Sequence, residues 1–147
     1  MTQVDFHFNA PEKLPYICRL LRKANVQGRI VGVWADSETC QLLNQLLWNL
    51  NPFDFVTHCL ANESANLLQH SSVILFSQWA DLSKLQKLDV YLNLNEAPPP
   101  SFDSISRLIE VVGPEERDKA SARQRWKHYS QLGFQINRFD LATANAN

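Results

Sequence analysis

Residues 29–50 read RIVGVWADSETCQLLNQLLWNL, and this stretch combines a buried strand with an amphipathic helix. Its first part, residues 29–34, is almost continuously apolar and rich in β-branched side chains, as expected of a strand buried on both faces. Asp36 or Ser37 can cap the helix that follows. One face of that helix carries Leu43, Leu46, Leu47 and Leu50 at helical spacing. A strand that passes directly into a helix predicts a βαβ unit.

The segment before this stretch has the same organisation. A first strand is indicated by apolar residues that alternate with polar ones at Val4, Phe6 and Phe8. Pro11 then opens a helix, and Gly28 lies in the turn that ends it. The buried stripe of this helix is predicted to contain Leu14, Ile17, Cys18 and Leu21.

The segment after it continues the alternation. Strands are predicted at residues 53–58, 72–76, 88–94, 108–112 and 134–141. A long helix is predicted at residues 115–132, and Gly133 ends it. The whole pattern predicts one three-layer α/β domain over residues 1–147, with a central, mainly parallel sheet covered on both faces. Residues 142–147 are expected to form a frayed tail.

The composition is that of an ordinary globular protein, and it limits the classes of partner. The 147 residues include 45% apolar and 20% charged residues, and the formal net charge is −1. A protein that binds nucleic acid by general attraction to phosphates usually carries a clear basic excess. Contact with single-stranded DNA is therefore expected to be mainly indirect.

Neither secretion nor membrane insertion is indicated by the sequence. Residues 1–8 are polar and alternating, unlike a signal peptide, and the longest apolar runs are too short to span a bilayer. The cysteines Cys18, Cys40 and Cys59 are widely separated and form no CxxC pair. We expect buried, reduced thiols, a cytoplasmic location and no association with membranes.

The loops after the first two predicted strands lack the glycines of a phosphate-binding loop. They read NAP at residues 9–11 and ADS at 35–37, where the carboxylate of Asp36 would repel a phosphate. His58 and Cys59 are neighbours, but adjacent side chains of a strand point to opposite faces and are poorly placed to share a proton. The histidines show no metal-ligand spacing. We therefore expect no catalytic residue, no cofactor and no metal site.

The long helix contains a basic stripe with an aromatic residue at its border. Residues 117–129 read RDKASARQRWKHY, and Lys119, Arg123 and Trp126 fall within roughly 60° of one another on a helix. The neighbouring buried face is predicted to contain Ala122, Tyr129 and Leu132. An apolar wall beside two cations suits the acidic end of a peptide. The alternative is a solvated basic face with Trp126 packed into the core, which is the commoner arrangement for a run of charges.

A second candidate surface lies at residues 47–56, which read LWNLNPFDFV. Trp48 lies well off the leucine stripe of its helix, and the two phenylalanines Phe53 and Phe55 follow it. Large apolar groups away from the core face often mark a protein interface. A helix buried on two sides of a three-layer domain would explain the same pattern, and the sequence leaves both interpretations open.

The order and spacing of several segments resemble the chi subunit family of bacterial DNA polymerase III, over essentially the whole chain. The segments are VDFHF at residues 4–8, CRLLRKA at 18–24, LW at 47–48, FVTH at 55–58 and ARQRWKHY at 122–129. The resemblance implies a Rossmann-like fold without catalytic activity. It also implies a bridging role. One face would bind the acidic, phenylalanine-ended C-terminal tail of single-stranded DNA-binding protein, and another the psi subunit, which joins chi to the clamp loader.

The resemblance also assigns residues to these two faces. The tail pocket maps to Lys119, Arg123 and Trp126, with an apolar wall from Val111 or Val112. The psi face maps to Trp48 and Phe55. Two features depart from the family, because Trp126 stands where a tyrosine is usual and the segment between Val112 and Lys119 is shorter.

Two other functions are compatible with parts of the sequence. One is a nucleotide-dependent enzyme on the same fold, against which the missing glycine-rich loop argues. The other is direct binding of single-stranded DNA through Arg123, Arg125 and Lys127, with Trp126 stacking on a base. The preferred hypothesis is the bridging subunit, located in the cytoplasm at the replisome.

Overall fold

The computed structural model describes residues 2–49, 56–85 and 87–142, which form an α/β domain. In chain order its elements are β1 (Gln3–Phe8), α1 (Lys13–Val26), β2 (Val31–Trp34), α2 (Ser37–Trp48), β3 (His58–Leu60), α3 (Ala65–His70), β4 (Val73–Phe76), a 3₁₀ helix (Trp79–Lys84), β5 (Val90–Asn93), β6 (Arg107–Val111), α4 (Glu116–Gln131) and β7 (Gln135–Asp140). The strands of this part of the chain form one seven-stranded sheet in the order β3-β4-β2-β5-β6-β1-β7.

Every strand pair in the described sheet is parallel. The inner strands β4 and β5 are buried at every position, because the connecting helices cover both faces of a parallel sheet. The prediction of a three-layer, Rossmann-like α/β fold with a mainly parallel sheet is therefore confirmed.

The two faces of the sheet carry separate hydrophobic clusters. One cluster joins α1 and α2 to the sheet, and its fully buried residues include Ile17, Leu43, Leu47, Val33 and Val111. The other lies under α3, α4 and the 3₁₀ helix, and includes Leu68, Tyr129, Phe76, Leu108 and Val112. Because successive side chains of a strand alternate between faces, Val111 and Val112 belong to different clusters.

The predicted helix ends are close to the observed ones. Asp36 is the N-cap of α2, where its carboxylate accepts a hydrogen bond from the backbone N–H of Thr39 at 2.7 Å. Gly133 follows the C-cap of α4 with a φ of 78°, a left-handed conformation that favours glycine. The first helix begins at Lys13, two residues later than Pro11.

Some sequence predictions were wrong or incomplete. Leu46 and Leu132 were expected in buried stripes, but they are 38% and 46% exposed. Leu132 is the C-cap of α4 and lies beyond its last turn, whereas Leu46 sits at the border of the buried face of α2. The strand expected at 53–58 is observed at His58–Leu60, and residues 50–55 lie outside the described part. Residues 143–147 of the expected tail also lie outside the described part.

A buried carboxylate joins β1 to both of its neighbours. Asp5 is 1% exposed, although the alternating pattern of β1 would suggest a polar outer face. Its oxygens accept hydrogen bonds from Gln3 at 3.2 Å, from Asn137 of β7 at 2.9 Å and from Arg107 of β6 at 2.9 Å. Burial alone would raise the pKa of Asp5, but these donors together hold it below its ordinary value. The carboxylate therefore ties the edge strand β7 into the sheet.

All three cysteines are buried, as expected, with exposed fractions of 7% for Cys18, 3% for Cys40 and 5% for Cys59. Burial raises the pKa of each thiol, that of Cys40 to about 11. Within the described residues, no helix combines the length and apolar character needed to cross a membrane.

Iodoacetamide at pH 8 should leave the folded protein almost unmodified, because alkylation needs an accessible thiolate. In urea all three cysteines should react. Mass spectrometry of samples quenched over time checks this expectation. Rapid labelling of one cysteine in the folded protein would contradict the burial described here.

Candidate functional site

A cavity of about 540 Å³ opens between α4, the carboxyl end of β1 and the edge strand β7. Its lining residues come from four segments of the chain. They are Phe6, Phe8 and Asn9 from β1 and its loop, Val112 and Gly113 after β6, Lys119, Ala122, Arg123 and Trp126 from α4, and Arg138 from β7. The loop at Gly113 is fixed by Asp118, whose carboxylate accepts the Gly113 N–H at 2.6 Å and contacts the Lys13 ammonium at 3.2 Å.

The floor of the cavity is apolar and aromatic. The period-2 geometry of β1 turns both Phe6 and Phe8 toward α4. The Phe6 and Trp126 rings lie 4.9 Å apart in a tilted arrangement, and Val112 and Ala122 complete the floor. Trp126 is partly buried, so one side of its ring packs on the core while the rest borders the cavity. Such a floor can receive an apolar or aromatic group of a ligand.

Three cations surround this floor. Lys119 is 3.9 Å from Glu116, a weak contact on the surface of α4. Arg123 is exposed one helical turn further on. Arg138 approaches from β7, with its guanidinium carbon 5.2 Å from the Phe8 ring centre and 5.7 Å from that of Trp126. Within residues 2–49, 56–85 and 87–142, neither arginine has a carboxylate at salt-bridge distance.

The structure brings together four of the five residues assigned to the tail pocket. Lys119, Arg123, Trp126 and Val112 line the same cavity. Val111 does not, because it is fully buried on the opposite face of the sheet.

Sequence reasoning missed Phe6, Phe8 and Arg138 as lining residues. Arg138 is aligned with Phe6 in the β1–β7 ladder. Its position could have been found only with knowledge that these two strands pair.

A buried polar network fixes α4 on the sheet. Arg125 is 3% exposed, and its Nε lies 3.1 Å from Oε1 of the fully buried Glu110 on β6. The other oxygen of Glu110 accepts hydrogen bonds from the Tyr129 hydroxyl at 2.5 Å and from Asn93 at 3.0 Å. Burial and the adjacent carboxylate raise the pKa of Tyr129 far above its usual range, so the phenol remains a donor.

This network corrects one expectation from the sequence. Arg125 also donates to the Ser121 hydroxyl at 2.6 Å and to the Glu96 carbonyl at 3.2 Å. Because its guanidinium is buried and hydrogen-bonded inside the protein, the proposed role of Arg125 in binding single-stranded DNA is wrong. Arg123 and Lys127 remain exposed on the same helix.

The second candidate surface lies near the C-terminal end of α2. Trp48 is 60% exposed, as expected for a side chain off the leucine stripe. Its ring packs against the His58 ring in a T-shaped arrangement, at a centroid distance of 4.9 Å. Leu42 is 45% exposed on another side of the helix. Phe55, the other residue assigned to this surface, lies outside the described residues.

A phosphate would bind at a helix N-terminus, and a metal ion would bind among His, Cys, Asp or Glu side chains. The N-terminus of α2 is occupied by the Asp36 carboxylate, so a phosphate there would meet a negative charge. Across the described residues, no group of three or more His, Cys, Asp or Glu side chains is arranged to hold a metal ion.

Comparison with known sequences gives the family. The pattern of the family described as DNA polymerase III chi subunit, HolC, matches residues 1–137 of the chain. The chain belongs to the DNA polymerase III chi subunit family. Its membership connects the protein with DNA replication.

Two relatives from the same family are also similar to most of the chain. The DNA polymerase III subunit chi of Haemophilus influenzae is 28% identical over 121 residues, which cover 82% of this chain and 81% of the relative. The DNA polymerase III subunit chi of Pseudomonas aeruginosa is 28% identical over 141 residues, or 92% of this chain and 94% of the relative. Both relatives are named as subunits of the polymerase.

Replacing Glu110 by Leu should destabilise the protein by about 3–5 kcal/mol, because Arg125 would remain buried without its charge partner. The double variant Glu110→Leu/Arg125→Met should recover much of this loss. Arg117→Gln, which breaks the exposed contact with Glu96, should change stability by less than about 0.5 kcal/mol. Urea unfolding followed by circular dichroism measures all three. Equal effects of Glu110→Leu and Arg117→Gln would show that the buried network contributes little.

Proposed function

We propose that this chi-family chain is a non-catalytic accessory subunit of DNA polymerase III. In this role it links the clamp-loader assembly to the C-terminal tail of single-stranded DNA-binding protein. The observation that carries the proposal is the cavity beside α4, in which an aromatic floor is surrounded by Lys119, Arg123 and Arg138. This combination matches a ligand that carries both carboxylates and an aromatic ring.

The chemistry of the cavity supports an acidic peptide end as the ligand. A guanidinium binds a carboxylate through two parallel hydrogen bonds, and Arg123 is exposed for such a contact. Lys119 adds a second positive charge one turn away on the same helix. Trp126 and Phe6 provide apolar area for the terminal ring or for the residue before it.

A second surface is proposed to bind the psi subunit. It contains Trp48, whose 60% exposure leaves a large aromatic side chain at the surface, and Phe55 follows seven residues later in the sequence. Tryptophan is one of the residue types enriched among interface residues that dominate binding energy. Trp48 belongs to α2 and the tail cavity to α4, which cover opposite faces of the sheet. Two partners on these surfaces need not compete.

The rival functions are less well supported by the same geometry. A nucleotide-dependent enzyme would need an anion site at a helix N-terminus, and Asp36 fills that position on α2. Direct binding of single-stranded DNA loses Arg125 from its proposed basic surface. We therefore propose that the chain needs no cofactor and approaches DNA mainly through its protein partner. We further propose that residues 1–147 act as one domain at the cytoplasmic replisome.

A peptide copying the C-terminal tail of the host's single-stranded DNA-binding protein should bind at the cavity. Arg123→Ala should weaken binding by about 1.5–3 kcal/mol, the range for hydrogen bonds to charged groups. Trp126→Ala should cost a similar amount by removing apolar contact area. Isothermal titration calorimetry gives these values. Higher salt should weaken the complex moderately without abolishing it, since contact with the aromatic floor is not screened.

Arg117→Ala provides the matched control, because Arg117 lies on α4 but does not line the cavity. Urea unfolding of each variant separates lost contacts from a loosened helix. If the wild-type protein does not bind the peptide, or binds it as tightly as Arg123→Ala does, the tail assignment is wrong. The basic side of α4 would then be a solvated face.

Trp48→Ala should weaken binding to the host's psi subunit by about 2 kcal/mol or more, because a large aromatic side chain at the centre of an interface contributes this much. Binding of the tail peptide should remain unchanged, since the cavity is formed by other elements. Leu67→Ala, which shortens an exposed leucine of α3, is a suitable control. Calorimetry with purified psi tests the expectation, and an affinity for psi unaffected by Trp48→Ala would rule out this surface.

A further inference from the structure

We infer that Arg138 determines the specificity of the cavity by binding a second carboxylate of the peptide, different from the one bound by Arg123. This inference rests on the proposed function of the cavity. It gives a separate role to the cation from the edge strand β7, in a cavity whose other two cations lie on α4. It also gives the ligand class more narrowly, as a peptide whose end carries two separated carboxylates beside an apolar side chain.

The position of Arg138 follows from the pairing of β7 with β1. In this parallel ladder Arg138 is aligned with Phe6, so its side chain extends over the face of the sheet that α4 covers. The guanidinium carbon lies 5.2 Å from the Phe8 ring centre and 5.7 Å from the Trp126 ring centre. Arg138 therefore forms part of the cavity wall beside the rings of Phe8 and Trp126.

The two aromatic contacts orient the guanidinium without using its hydrogen-bonding capacity. Cation–π contacts engage the face of the group, whereas the N–H donors lie in its plane and along its edge. Within the described part of the chain, the Arg138 guanidinium makes no hydrogen bond and no ion pair. The nearest acid in sequence, Asp140, instead accepts hydrogen bonds from the Asn9 side chain at 2.9 Å and from the Ala142 N–H at 3.0 Å.

The distribution of charge in the cavity favours two carboxylates over one. Lys119 and Arg123 are separated by about 6 Å along the axis of α4, close enough for both to contact one carboxylate. Arg138 reaches the cavity from a different element, β7, and its guanidinium lies beside the rings of Phe8 and Trp126. In an extended peptide, carboxylates two residues apart are separated by about 7 Å. Such a peptide can place one carboxylate at Arg123 and the other at Arg138, with an apolar side chain on the floor between them.

The test is a set of double-mutant cycles between protein and peptide, measured by calorimetry at fixed salt. The parent probe is a synthetic peptide with two aspartates upstream of a C-terminal phenylalanine. One derivative has an amidated C-terminus, and another has both aspartates replaced by asparagine. Each is titrated into the wild-type protein, Arg123→Gln, Arg138→Gln and the control Arg117→Gln, which removes the same charge outside the cavity.

Arg138→Gln should weaken binding of the parent peptide about tenfold, as expected for a lost charge-assisted contact. For one of the two derivatives, Arg138→Gln should weaken binding by less than about twofold, because that peptide lacks the carboxylate that Arg138 binds. Likewise, Arg123→Gln should weaken binding of the other derivative by less than about twofold. Arg138→Lys keeps the positive charge and should retain part of the affinity, so a folding defect can be recognised. Arg117→Gln should stay within about twofold of the wild type.

Each remaining outcome rejects a defined statement. If Arg138→Gln weakens all three peptides equally, Arg138 only positions Trp126 and the inference is wrong. If both arginines respond to the same carboxylate, there is no second carboxylate site. If the wild-type protein binds the parent peptide and Arg138→Gln binds it equally well, the inference fails while the proposed function stands. Absence of binding to the wild type rejects the proposed function itself.

Discussion

The ion pair between Glu110 and Arg125 lies where β6 meets α4, and both side chains are almost completely removed from water. A buried charge is tolerated only with a partner and with hydrogen bonds to its remaining atoms. Asn93 and Tyr129 supply donors to the carboxylate, and Ser121 accepts from the guanidinium. These directional contacts favour the rotational setting of α4 in which Arg125 and Tyr129 face the sheet.

The setting of α4 decides which of its side chains border the cavity. With Arg125 and Tyr129 turned toward the sheet, helical geometry places Arg123 and Trp126 toward β7. The floor and the cations then meet at the border between core and solvent. At this border the electrostatic interactions of the cations are screened less than in bulk water, because the aromatic rings exclude water from one side. The proposed binding properties of the cavity therefore depend on a polar contact that lies beneath it and touches no ligand.

Much of the fold could be predicted from the sequence, because burial on both faces of a parallel sheet leaves long apolar runs such as residues 72–76. The end of α4 was also predictable, since Gly133 adopts a conformation that favours glycine. The six-residue helix α3 was missed, as it is too short to show a helical period.

The candidate site was harder to predict, because it depends on contacts between elements distant in sequence. Lys119, Arg123 and Trp126 could be grouped by helical spacing, and the family resemblance gave them a role. Val111 and Val112 could not be distinguished, since a shift of one residue changes the face of a strand. From the sequence alone Arg125 is predicted to be a solvated cation, because nothing in the sequence shows that Glu110 lies beneath it. Arg138 becomes visible only once β7 is placed beside β1.

The pairing of β1 with β7 has a consequence for how the protein matures. The ladder aligns residue 3 with residue 135, and the Asn9 side chain is bonded to Asp140, 131 positions further along. Contacts of such long range form late, because the loop between them must first be closed. During synthesis, α4 emerges from the ribosome before the strand that completes the wall of the cavity. An incomplete chain therefore carries the arginines of α4 but lacks the β7 wall of the cavity, so the proposed tail site is complete only once the sheet is complete.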